Sequence, residues 1–108
     1  MRNTPEVNLL SVVRTYLEDP KNWKQGAFGL EEGRPSCVHG ALMKLSTSPE
    51  MDAAYSRACD AIFKTLDDAG LRDSNRGLAS FNDHPERKHE EIIQLLDNTI
   101  LRLEAEGL

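Results

Sequence analysis

Residues 21–45 read KNWKQGAFGLEEGRPSCVHGALMKL, and the fold turns on how this stretch is read. It holds the only tryptophan, Trp23, four of the seven glycines (Gly26, Gly29, Gly33 and Gly40), and Cys37 two positions before His39. Glycine lacks a Cβ, so the chain here can turn sharply or run close to another element. From Asn22 to Ser36 the stretch reads as irregular chain. Phe28 to Leu30 and Arg34 to Cys37 could pair as a short hairpin across Glu31-Glu32-Gly33, with Gly33 taking positive φ. So short a hairpin needs helices beneath it. From Ser36 or Cys37 to Leu45 the pattern becomes helical, with Val38, Ala41, Leu42 and Leu45 on one stripe and Gly40 as a thin spot for close packing.

Outward from this crossover the chain is helical on both sides. A first helix is expected from Pro5 to Glu18. Thr4 is placed to cap it, Pro5 suits its first turn, and Leu9, Leu10, Val13, Tyr16 and Leu17 fall on one face; Pro20 blocks its continuation. A third helix runs from Pro49 to Ala69, capped by Ser48 and stopped by Gly70, with Met51, Ala54, Tyr55, Ala58, Ile62, Phe63 and Leu66 along its stripe and Cys59 at its margin. Residues 71–82 read as a loop with one helical turn around Leu78 to Phe81. The last helix is expected to begin at Asp83, with Glu86 reaching back in an acidic capping box and Ile92, Ile93, Leu96, Ile100 and Leu103 facing inward. The expectation is an all-α fold: one domain, residues 1–108, of four compactly packed helices with a glycine-rich crossover between the first and second.

Composition narrows the function. At 108 residues the chain suits a single core. Apolar residues make up 39% and charged residues 29%, as in a globular domain. No run of about eighteen apolar residues is present, so no membrane partner is expected. The N-terminus is amphipathic rather than signal-like, which points to the cytoplasm. The net charge of −5 and the pI near 5.1 come without a basic block, so nucleic acid is not an expected partner. Two cysteines are too few for a disulfide scaffold in a chain of this length.

Three fragments in series carry a resemblance: Trp23-Lys24-Gln25-Gly26, then Gly33-Arg34-Pro35-Ser36-Cys37 running on to Gly40-Ala41-Leu42, then Phe81-Asn82-Asp83 with Pro85 and Arg87. Together they resemble a family of small domains of unknown function from actinobacteria and their phages, with W-x-Q-G, G-R-P-x-C-x-x-G-A-L and W-N-D-x-P-x-R-T segments. Phe81 stands where that family has tryptophan, and Lys88 where it has threonine. The resemblance implies no activity. It implies a cytoplasmic origin in such a bacterium or its phage, and a site drawn from these fragments.

The site candidates follow from the same residues. Cys37 lies at a helix N-terminus, where free amides and the dipole favour a thiolate. If the protein is an enzyme, Cys37 is the nucleophile, His39 or His89 the base, and Asn82 or Asp83 the orienting group. The competing reading is a small buried residue packed under Trp23. Cys37, His39, His84 and His89 lack the spacing of a zinc site, and no metal or other cofactor is expected. Trp23, Gln25, Asn82 and Arg87 form the candidate binding set, as a contact patch or a polar pocket for a small anionic ligand. Asn82-Asp83 also suits a helix cap. With no complete catalytic or metal constellation, the expected function is a non-enzymatic, protein-binding or regulatory domain, with a second copy of itself as one partner and, by the resemblance, a host factor as another. The alternative is a small Cys-dependent hydrolase or transferase centred on Cys37.

Overall fold

The computed structural model describes residues 4–26, 29, 34–46, 49–70, 78–83 and 86–106, without the side chains of 49, 50 and 78–80. Among these residues five α-helices follow in order: α1 (Pro5–Glu18), α2 (Val38–Leu45), α3 (Pro49–Asp68), α4 (Leu78–Asp83) and α5 (His89–Glu106), with a 3₁₀ turn at Pro20–Asn22 after α1. The all-α expectation holds, and the single turn expected near Leu78 is the short α4. Most of the expected hairpin, including Phe28 and Gly33, and the Ser48 cap of α3 lie outside the described residues.

The first helix has the bounds its sequence signals set. Thr4 accepts a hydrogen bond from the Val7 amide at 3.3 Å, filling one of the donors a helix start leaves open. Its apolar stripe makes α1 the centre of the domain. Leu9, Leu10, Val13 and Leu17 are fully buried, and α2, α3 and α5 all pack on it. Each such leucine contributes about 1.5–3 kcal/mol of burial. From α3 come Ala54, Ala58, Ile62 and Leu66, and from α5 Ile92 and Leu96, to close the core. Small residues on α3 let it approach α1 closely.

One boundary needs correction. The last helix starts at His89, not at Asp83. Asp83 ends α4, and its carboxylate is used by the crossover. Lys88 takes the capping position instead: its amide donates to Glu91 Oε1 at 2.8 Å, the reciprocal half of a capping box moved five residues along. At the other end of α3, Gly70 adopts φ +69° and stops the helix as expected.

Candidate functional site

The described residues of the crossover are tied down by polar contacts. Asn22 donates through Nδ2 to the Tyr16 carbonyl, and His89 Nε2–H donates to the Leu17 carbonyl at 2.5 Å. Two carbonyls that the end of α1 leaves open are thereby satisfied from outside the helix. Trp23 and Ser36 form a single parallel bridge: the Ser36 amide donates to the Asn22 carbonyl at 2.7 Å and the Lys24 amide to the Ser36 carbonyl at 3.0 Å. Ser36, itself buried, donates its hydroxyl to the Gly29 carbonyl. Gly29 has φ +61°, and a Cβ there would stand 1.9 Å from the Pro35 carbonyl oxygen, so no other residue fits without moving backbone. At the outer edge, Tyr16 donates its hydroxyl to the Arg34 carbonyl, and Lys44 reaches both.

Asn82 is the hub of this arrangement and is completely buried. Its Oδ1 accepts from the Trp23 indole at 2.6 Å and from the Val38 amide at 3.0 Å. Both partners can only donate, which fixes the orientation of the carboxamide. Its Nδ2 then donates to the Lys24 carbonyl at 3.1 Å and to Asp83 Oδ1 at 2.9 Å. All four hydrogen-bonding positions of the side chain are filled. The neighbours extend the network: Gln25 donates to the Asn82 carbonyl, and the Gly26 amide donates to Asp83 Oδ1 at 2.8 Å. One short helix, α4, thus holds the crossover on one side and the first turn of α2 on the other.

The remaining candidates are placed as follows. Trp23, half-buried, lies against the His89 ring at 5.8 Å between centroids. Arg87 stacks on the Phe81 ring at 3.7 Å, donates through Nε to the Phe81 carbonyl, and pairs with Glu91 at 3.0 Å. That pair offsets the cost of a cation near the start of α5. Trp23, Gln25, Asn82 and Asp83 are therefore brought together, with Arg87 attached through Phe81. A depression of about 160 Å³ lies beside Arg87's partners, lined by Leu66, Phe81, Glu91 and Leu95.

Cys37 caps α2, accepting from the Gly40 amide at 3.2 Å, and is 1% exposed. Burial pushes its thiol pKa up, against the partial opposing effect of the Gly40 and His39 amides. The helix N-terminus that favours a thiolate is outweighed by desolvation. Both described imidazoles are engaged elsewhere: His39 Nε2 with the Tyr55 hydroxyl at 2.6 Å, and His89 with Leu17. Burial holds the His39 pKa below its ordinary value. His84 lies outside the described residues. Among the described residues, no three His, Cys, Asp or Glu side chains group to hold a metal ion, and no helix is long and apolar enough to cross a membrane. Sequence reasoning missed the His39–Tyr55 pair and the roles of Ser36 and the Lys24 backbone; no local signal marks any of them.

Comparison with known proteins adds one finding. Residues 1–102 match a family of unknown function, DUF6197, and the chain belongs to that family. Neither the curated proteins nor the solved structures contain a match.

Proposed function

We propose that this member of a family without an assigned activity is a non-enzymatic domain that works through protein contacts. The observation that carries this reading is the saturated Asn82 carboxamide, whose four hydrogen-bonding positions are used to pin the crossover. With its donors and acceptors so used, the Asn82 carboxamide keeps none for a ligand or a reacting group. In this reading Trp23, Gln25, Asn82 and Arg87 set the shape of the contact surface, and Cys37 is a helix cap. The resemblance of the three fragments to small domains of actinobacteria and their phages gives the reading a concrete form, a modulator of a host factor in the cytoplasm.

The test has two arms. Affinity capture from an actinobacterial lysate, followed by pairwise binding with the purified candidate, should yield a saturable partner; its absence counts against a contact function. Alkylation of Cys37 across pH should be slow and governed by unfolding. Rapid labelling with a midpoint below the ordinary thiol pKa would instead favour the cysteine enzyme.

A further inference from the structure

The seam between α2 and α3 is built unlike the rest of the domain. Each of these helices packs closely on α1, whereas their backbones make few close approaches to each other. What spans the gap is a side-chain bridge, His39 Nε2 to the Tyr55 hydroxyl at 2.6 Å. From that bridge two stripes run at helical spacing. On α2, Met43 stands one turn after His39 and is 40% exposed. On α3, Met51 and Cys59 stand one turn either side of Tyr55, and all three are half-buried. Tyr55 and Cys59 also interact through their hydroxyl and thiol. The seam is thus a part-open furrow lined by two methionines, a tyrosine and a cysteine. Flexible, polarisable side chains of this kind suit adaptable protein contacts.

Charge indicates what fits there. The outer shoulder of the furrow on α3 carries Asp52, Ser56 and Asp60, all exposed. The basic residues of the same two helices are directed away: Arg57 pairs with Glu6 of α1, and Lys44 is bound to Tyr16 and the Arg34 carbonyl on the far flank of α2. Lys64 falls further round α3, beyond Asp60. The chain as a whole carries −5.

We infer that the α2–α3 furrow is the docking site for a basic amphipathic helix, whose apolar stripe lies along Met43, Met51, Tyr55 and Cys59 while its lysines or arginines meet Asp52 and Asp60. This rests on the contact function proposed above and specifies its face and partner chemistry. Helix-in-groove recognition supplies the mode: apolar anchors at i, i+3/i+4 and i+7 give affinity, and the flanking charges give orientation.

The test uses two synthetic helical peptides with the same leucine stripe, one with lysine and one with glutamate on its polar face. The full-length protein should bind the lysine peptide at least about tenfold more tightly. Binding should slow alkylation of the half-buried Cys59, while Cys37 serves as the buried internal reference. Asp52→Lys with Asp60→Lys, both at exposed positions, should reverse the preference, and Glu90→Lys on α5 should leave it intact. Equal affinity for both peptides, or lysine-peptide binding that leaves Cys59 labelling unchanged, overturns the inference. So does Cys59 protection that rises with protein concentration alone, which would make a second copy the occupant. If a natural partner binds the charge-reversed protein and the wild type equally, the furrow is refuted and the contact function stands. If no partner binds either form, the contact function itself fails.

Discussion

The crossover and the α2–α3 seam invert the usual association of irregular chain with reactivity. The crossover has little regular structure, yet its described backbone and side chains are hydrogen-bonded into α1, α2 and α4. The seam is made of two regular helices, yet it is bridged by the His39–Tyr55 side-chain hydrogen bond and leaves methionine and cysteine part-exposed. Glycine, tryptophan and asparagine collect where backbone has no helix to satisfy it. They mark a structural problem and its solution. The surface left unfinished lies on elements whose sequence looks unremarkable.

The largest effect is expected at Asn82. Asn82→Ala takes the partner from the buried Val38 amide, the half-buried Trp23 indole and the Lys24 carbonyl, and should cost about 3–5 kcal/mol in denaturant unfolding, from several groups at about 1–3 kcal/mol each with partial relaxation. Next comes Gly29→Ala, where a Cβ meets the Pro35 carbonyl and positive φ is also lost; a cost of about 2 kcal/mol or more is expected by the same measurement. A change below about 0.5 kcal/mol at either position would mean the crossover is not pinned as described.

The seam should respond to pH. Burial sets the folded-state pKa of His39 below the ordinary value of 6.5, so on acidification the unfolded chain takes up its proton first. This contribution to stability is complete above the unfolded pKa and is lost as pH falls below it, towards the lower folded value. Unfolding curves across pH 7.5 to about 5 should therefore show a steeper acid loss for wild type than for His39→Gln. Equal slopes would place the imidazole in water. The smallest effect is expected at Met43, where Met43→Lys should change stability by less than about 0.5 kcal/mol, since the position is exposed.

The regular parts were legible because local physics decided them. Thr4 and Pro5 set the start of α1, Pro20 its end, Gly70 the end of α3, and the apolar stripes named the core. The start of α5 misled because Asp83 and Glu86 fit a capping box locally; tertiary demand for Asp83 by the Gly26 amide overrode that pattern. Trp23, Gln25 and Asn82 stand out in the sequence, but their partners in the hub include the Lys24 carbonyl and the Val38 amide, and backbone groups have no side-chain signature. Cys37 was placed correctly at a helix start. Its burial, which reverses the expected effect on the thiol, depends on neighbours far away in sequence.

Asn82 and its neighbours lock the described residues of the crossover onto the helices. Amide hydrogen exchange at Gly26, Ser36 and Val38 tests it most directly, in wild type and in Asn82→Ala. Protection close to that of α1 and α5 is expected in wild type, falling steeply at all three amides in the variant. Free exchange at these amides in wild type, with α1 and α5 still protected, would contradict it.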